Sequence, residues 1–207
     1  IKLLLIYSTV SQLGYVLMAI CLGTSLGVAG GLMHFVNHMF LKDTLFLVAG
    51  AVMVKSHASQ LDELGGLGRK MPITFGFFLF AGLLLAGVPP LNGFSSKWLI
   101  FSAAFESGHW ALAVGAMVSS LFTLAAVLKF AHAAFMGAPT PKALEAHEAP
   151  LAMLIPMGLL TAASVLIGFF PGILLVPIAG IEAELGLTPI DASLFGPLPG
   201  MGGWSPT

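Results

Sequence analysis

Long, nearly uninterrupted apolar runs alternate along this chain with short polar connections. Runs at about 3–22 and about 27–54 are each long enough to cross a hydrocarbon core of about 30 Å at about 1.5 Å per residue. The next unit is different. An apolar run from Ile73 to Val88 meets Pro89-Pro90-Leu91-Asn92-Gly93, and a shorter run at about 95–106 follows. Proline removes a backbone donor and clashes with the preceding turn, so a helix must break there. Neither piece spans comfortably alone, and the pattern predicts one discontinuous span over 73–106, broken at Pro89, Pro90 and Gly93. Further spans are predicted at 110–136 and 150–180. From 181 to 207, Pro189, Pro197, Pro199 and Pro206 with several glycines predict an irregular tail. Barrel strands would alternate in polarity over about ten residues, and these runs are continuously apolar. The expected fold class is therefore an all-α, polytopic membrane bundle of about five spans.

Composition strengthens this reading. Of 207 residues, 57% are hydrophobic and 8% are charged, where soluble domains carry about 25% charged. A mean hydropathy of +0.99 leaves too few polar side chains to coat a globule, so lipid must do part of the solvating. The net charge of −1 gives no reason to expect a nucleic-acid partner. A single cysteine, Cys21, lies in an apolar run and excludes a disulfide framework or a cysteine metal cluster. The chain begins at Ile1, and its first run lacks the charged leader and cleavage site of a signal peptide. A portion of a longer protein is expected, with the upstream part missing or on another chain.

The eight basic residues are Lys2, Lys42, Lys55, Arg69, Lys70, Lys97, Lys129 and Lys142. With the broken unit counted as one span, Lys2, the 55–72 loop and the 137–149 loop share one side and hold five of them. The opposite side has none, and its tail carries Glu182, Glu184 and Asp191. The positive-inside rule places the basic side in the cytoplasm. Two separate spans would move Lys142 across and spoil the asymmetry.

Lys42, Lys97 and Lys129 fall within spans, where an amine costs at least about 3 kcal/mol even on insertion scales. His34, His38 and Lys42 form the strongest constellation. Steps of four residues drift only about 40°, so all three share one helix face over about 12 Å. A neutral imidazole accepts at one nitrogen and donates at the other, so with bridging waters such a ladder can pass a proton. Asn37 adds polarity near that face. The alternative is a set of interhelical hydrogen bonds. Zinc is disfavoured because no carboxylate or thiol joins the ladder.

Lys97 is expected in the first turn of the half-helix after the break, behind Asn92-Gly93-Phe94-Ser95-Ser96. The partial positive charge of a helix N-terminus disfavours an ammonium there. A lysine so placed can lose and regain a proton, and discontinuous helices recur at transporter ion sites. Snorkelling to the interface is the alternative. Ser8, Ser11, Gln12 and Tyr15 cluster at helical spacing in the first span and either line a hydrated path or knit helices together. Lys129 and His132, one turn apart near the cytoplasmic end, are candidates for proton exchange with that side. The Gly65-Gly66-Leu67-Gly68 stretch follows no strand and reads as a turn, not a nucleotide loop.

The runs IKLLLIYSTVSQLGY (1–15), HFVNHMFLKDTLFLVAG (34–50), GGLGRKMP (65–72) and GVPPLNGFSSKWLI (87–100) resemble the proton-conducting antiporter family. That family includes the antiporter-like subunits of respiratory complex I, Mrp-type cation/proton antiporters and membrane subunits of energy-converting hydrogenases. The resemblance covers about residues 1–137. It implies fourteen core helices in a full-length member, with two inverted five-helix repeats, each holding a broken helix with a key lysine or glutamate. By this resemblance, residues 1–136 supply the second repeat without its first helix. Residues 137–149 form a cytoplasmic loop, 150–180 the final transmembrane helix and 181–207 the tail. Lys97 takes the position of the key residue on the broken helix, and His34, His38 and Lys42 take the polar positions of the preceding one. Asp43 departs from the small residue usual there. The 119–137 run looks more like Mrp or hydrogenase-type members than the complex I subunits.

The expected function is proton, or sodium/proton, translocation as an antiporter-like subunit of a redox-driven complex I-type or hydrogenase complex. Lys42 would load from the histidines and pass a proton toward Lys97. The alternatives are an Mrp-type antiporter without redox coupling and a purely structural membrane subunit. No nucleophile–base set, phosphate loop or metal site suggests an independent enzyme. No cofactor is expected in this chain; iron–sulfur clusters, quinone or a hydrogenase metal centre would belong to partner subunits. The expected partners are other membrane subunits, including the missing N-terminal half, together with lipid, protons and sodium ions. The expected location is a prokaryotic inner membrane, crossed several times.

Overall fold

A computed structural model describes residues 2–58, 60–89 and 91–191, all helix, turn and coil without strands. Helix α1 (Lys2–Cys21) and the 32-residue α2 (Ser25–Ser56) form a tight hairpin. The turn holds because the Thr24 hydroxyl accepts the N–H of Gly27 at 3.1 Å, capping α2. Two short 3-10 turns, Leu61–Glu63 and Leu67–Arg69, lead to α3 (Pro72–Ala86). Then come α4 (Asn92–Glu106), α5 (Trp110–Ala131) with a π-helical turn at His132–Met136, and the short α6 (Pro141–Glu145). Helices α7 (Leu151–Phe169) and α8 (Gly172–Glu184) complete the order.

Helix α2 is the centre of the bundle, packed by α1, α3, α4, α7 and α8. Its buried face includes Met33, Leu41, Leu45, Val48 and Val52. Beside it, Phe78 of α3 lies 4.9 Å from Phe130 and 5.3 Å from Phe135, centroid to centroid. Such offset ring pairs add about 0.5–1.5 kcal/mol beyond area burial. The outer surface is apolar. Val10 and Leu17 of α1, and Leu121 and Phe122 of α5, are all more than half exposed, as suits hydrocarbon or a neighbouring transmembrane helix. By length and composition, Trp110–Met136 and Leu151–Phe169 suffice to cross a membrane.

The predicted interruption falls between α3 and α4. Gly87 takes a left-handed conformation at φ 83°. Its N–H reaches Leu84 O at 3.0 Å, while Val88 N–H reaches Leu83 O at 3.1 Å. This is a Schellman closure, and glycine supplies the positive φ it needs. Pro89 is exposed beyond it; Pro90 lies outside the described residues. The second half-helix starts at Asn92, earlier than the apolar run suggested, because the polar Asn92-Gly93 pair already sits in its first turn. Lys97 therefore lies in the second turn.

The final segment departs from expectation. Instead of one helix over 150–180, α7 ends at Phe169 and α8 begins at Gly172. Pro171 is the physical reason: the residue before proline is pushed out of the helical region, and Phe170 sits at φ −124°, ψ 66°. Helix α8 continues to Glu184, so the first residues assigned to the irregular tail are helical. Residues 192–207 lie outside the described residues.

At Gly93 an added Cβ would overlap the carbonyl oxygen of Leu84, which is fixed in the first half-helix. Gly93→Ala should therefore destabilise the chain by about 1–3 kcal/mol, the usual cost of overpacking. A lowered unfolding midpoint in detergent, against an unchanged Gly115→Ala control in open space, is the expected result.

Candidate functional site

The break leaves backbone carbonyls at the end of α3 without helical partners, and Lys97 supplies donors. Its Nζ donates to Leu85 O at 2.8 Å, Ala86 O at 3.3 Å and the Ser120 hydroxyl at 2.9 Å. All three N–H groups of the ammonium are thus used, each on a neutral oxygen. The side chain is 2% exposed. The sequence drew attention to the positive N-terminus of α4. The structure places the ammonium instead at the negative C-terminal end of α3, where a cation is favoured. Gly87 makes room for it, since a Cβ there would stand 2.9 Å from Lys97 Cδ.

Tyr15 covers one flank of this amine. Its ring centroid is 5.2 Å from Lys97 Nζ, within cation–π range. Its hydroxyl donates to Ala116 O at 2.6 Å and lies 3.3 Å from the Ser120 hydroxyl. Helices α1, α4 and α5 are thereby joined at one polar node.

On α2, His34 is held at both ring nitrogens. Nδ1 is 2.9 Å from the Ser96 hydroxyl and Nε2 is 3.0 Å from Gln12 Oε1. Gln12 Oε1 is an acceptor, so His34 carries its proton at Nε2 when Gln12 adopts this orientation. His38 follows with a ring centroid 6.4 Å away. That is too far for a direct hydrogen bond, and His38 Nε2 is a buried nitrogen without a partner among the described residues. One further turn along, Lys42 Nζ donates to Leu5 O at 2.7 Å and the Ser8 hydroxyl at 2.6 Å. Asn37 donates to Asn92 O at 3.0 Å and accepts from Asn92 Nδ2 at 3.2 Å, tying α2 to the break. Asp43 is exposed.

The candidates thus divide. His34, His38, Lys42, Lys97, Gln12, Tyr15 and Asn37 are buried and Ser8 half-buried, in one polar seam between α1, α2 and α4. Ser11 is exposed and lines two cavities of about 260 and 290 Å³ between α1 and α5. Ser8 borders the second and Tyr15 the first. Both are open to the outer surface and lined mostly by apolar side chains, with Ser8, Ser11 and Ser119 among the few polar groups. Lys129 and His132 are exposed on the outer face of α5, away from the seam. Sequence reasoning missed Ser96, Ser120 and Asn92. Ser120 gave no signal, because the Ser119-Ser120 pair in an apolar span can equally well bond the backbone of its own helix. Among the described residues no cluster of three or more His, Cys, Asp or Glu side chains could hold a metal ion.

A helical bundle arranged round an interrupted span, with a buried lysine at the break, defines a class of integral membrane protein. Residues 1–123 match the family described as NADH:quinone oxidoreductase/Mrp antiporter, transmembrane, and the chain belongs to that family. It is 32% identical over 179 residues to NADH-quinone oxidoreductase subunit N of Desulforudis audaxviator, covering 81% of this chain and 36% of that protein. It is also 32% identical over 197 residues to a component of the Na(+)/H(+) antiporter of Bacillus subtilis, covering 84% of this chain and 25% of that one. Among solved structures, a chain of the membrane-bound sulfane sulfur reductase, an archaeal respiratory membrane complex, superposes with a TM-score of 0.77 at 35% identity. That match covers 80% of this chain and 28% of the other. The chain spans 18% to 39% of the length of the curated relatives it matches.

Replacing Asn37 by leucine would strand the Asn92 amide, which is 0% exposed. A buried polar group left unpaired costs about 1–3 kcal/mol. Asn37→Leu should lower the thermal midpoint accordingly, whereas Lys129→Ala on the exposed face should stay within about 0.5 kcal/mol of the parent. Equal losses in both would show that the Asn37–Asn92 pair is not what joins α2 to the break.

Proposed function

We propose that this chain is the C-terminal portion of an antiporter-like subunit that carries protons across a membrane within a redox-driven complex of the complex I or energy-converting hydrogenase type. The observation that carries the proposal is Lys97, a fully buried amine bound to the free carbonyls of an interrupted helix and adjoining a polar seam. Buried amines at membrane depth are costly, and a hydrated path is the reason that best accounts for keeping one.

In this reading the groups are used in the order Lys42 with Ser8, then His38, then His34, whose Nδ1 is 2.9 Å from the hydroxyl of Ser96, the sequence neighbour of Lys97. The histidines then serve between the two lysines rather than only loading Lys42. A proton leaving Lys42 reaches His38, then His34, then the Lys97 node. Water or a small ring movement must bridge the 6.4 Å between the imidazoles. No bond other than N–H and O–H is made or broken. A charge arriving from a partner protein would drive the transfer by shifting the electrostatic balance along this line. Electron transfer and its iron–sulfur, quinone or metal centres belong to those partners in this reading.

The end of the bundle holding Lys55, Arg69, Lys70 and Lys142 faces the cytoplasm in this proposal, and the membrane is a prokaryotic inner membrane. Lys142 makes an exposed 2.7 Å ion pair with Glu63 there. The likeness to a Na(+)/H(+) antiporter component supports a second reading, sodium/proton exchange without redox coupling. The same residues would serve, and the proteins that co-purify with the chain separate the two.

Lys97→Ala should abolish proton translocation in vesicles reconstituted with the full complex, while the yield of assembled complex stays at the parent level. Undiminished translocation would refute the proposal; lost assembly with normal translocation per assembled complex would make Lys97 a structural tie.

A further inference from the structure

One buried acid plays no part in the seam described above. Glu182, near the end of α8, is 0% exposed. Its Oε2 accepts the N–H of Ile190 at 2.7 Å. Its Oε1 is buried with no partner among the described residues. Its backbone carbonyl accepts from Leu187 N–H at 2.9 Å, so the segment after α8 folds back over the side chain. A carboxylate held by one oxygen, with the other free and sealed from solvent, is a half-satisfied group. Burying a polar acceptor without a partner costs about 1–3 kcal/mol, and more when it is charged. A structural cap needs only the oxygen already used.

The position of Glu182 relative to the seam is informative. Asn92, Ser95 and Leu99 follow one another on one face of α4, spaced three and four residues apart. Asn92 Oδ1 and Ser95 Oγ are also buried without partners among the described residues. Beyond them lies an apolar cluster of Ala29, Met33, Leu99, Leu175 and Ile178, in contact with Leu26, Leu174 and Ile190. The helices set the direction. Asn37 meets Asn92, and Gly30, two turns earlier on α2, packs on Leu99 and Ile100. Gly168, just before α8, lies against Asn92 N. Helix α8 thus leaves the level of the break and passes the apolar cluster. It brings Glu182 to the far end, about 15 Å along its axis from Gly172. The unpartnered oxygens of Asn92 and Ser95 stand on one side of the cluster and the unpartnered oxygen of Glu182 on the other. The far end also carries Glu106, His109 and Glu184, all exposed.

We propose that Glu182 is the proton-release group on the non-cytoplasmic side, separated from the break by the Met33–Leu99–Leu175 cluster acting as an apolar gate. This rests on the proton-translocating reading above. A proton that has passed the Lys97 node crosses the gate when water enters it and binds to Glu182 Oε1, giving a neutral carboxylic acid. The O–H bond then breaks toward water at the far end and the carboxylate is restored. One proton enters and one leaves, and no electron moves. The bond from Ile190 N–H to Oε2 holds the side chain in place throughout.

Glu182→Gln separates this role from capping. The glutamine carbonyl can still accept from Ile190 N–H, but the side chain cannot take up and release a proton. In the full complex reconstituted into vesicles, the variant should assemble and melt as the parent does and lose proton translocation. Translocation at the parent rate in Glu182→Gln overturns the proposal. If Lys97→Ala alone blocks translocation, the broader reading stands and only the role of Glu182 falls; if neither variant blocks it, the broader reading falls as well. A second measurement uses the unaltered complex. Dicyclohexylcarbodiimide reacts with protonated carboxyls in apolar surroundings, and peptide mass spectrometry should find the adduct on Glu182 as translocation is lost. Loss of translocation with Glu182 unmodified would overturn the proposal even if the variant failed to assemble.

Discussion

The interrupted helix and the amine that fills it are one structural unit. Breaking a transmembrane helix frees backbone carbonyls that lipid cannot satisfy, at a cost of several kcal/mol for each. Burying a lysine is similarly unfavourable. At the end of α3 the two costs offset each other, because Leu85 O and Ala86 O accept from Lys97 Nζ. The remaining N–H goes to Ser120, and Tyr15 covers the flank. Four helices, α1, α3, α4 and α5, are thus committed to a single polar node. Removing the amine would expose carbonyls; closing the helix would strand the amine.

Beside that node, with the Tyr15 and His34 rings 5.8 Å apart, a second set of polar contacts runs along α2, the central helix of the bundle. His34, Asn37, His38 and Lys42 are all buried on it. His34 and Asn37 are pinned by direct hydrogen bonds, whereas His38 keeps a nitrogen without a partner among the described residues. His38 is the rung of this ladder whose side chain is left open to a further partner. The second half-helix is supported in turn by α7, where Gly168 admits the backbone of Asn92.

Much of this was legible in the sequence because cost leaves a trace. Charged and imidazole side chains in long apolar runs stand out, and steps of four along 34, 38 and 42 assign them to one face. Pro89 and Gly93 announced the break. The sequence misjudged the electrostatic setting of Lys97, because its spacing from the break shows the helix it belongs to but not the helix end it reaches across to. It grouped Lys129 and His132 with the translocation candidates, and in this chain both are exposed and stand apart from the seam; a span does not reveal what packs against each of its faces. Pro171 was read through as part of one final span, since two short apolar helices in line have the hydropathy of one. Glu182 was counted with a surface tail because nothing local signals that Ile190 folds back upon it.

The central claim of the proposal is that these buried amines and imidazoles belong to a wet, connected route and are not isolated ties between helices. A density map of the whole complex, sharp enough to show ordered water, tests it most directly. Water is predicted within hydrogen-bonding reach of His38 Nε2, linking it toward His34 and Lys42, and continuing from the α1–α5 cavities to the Lys97 node. A dry seam, with His38 sealed in hydrocarbon and no water between the two lysines, would contradict it.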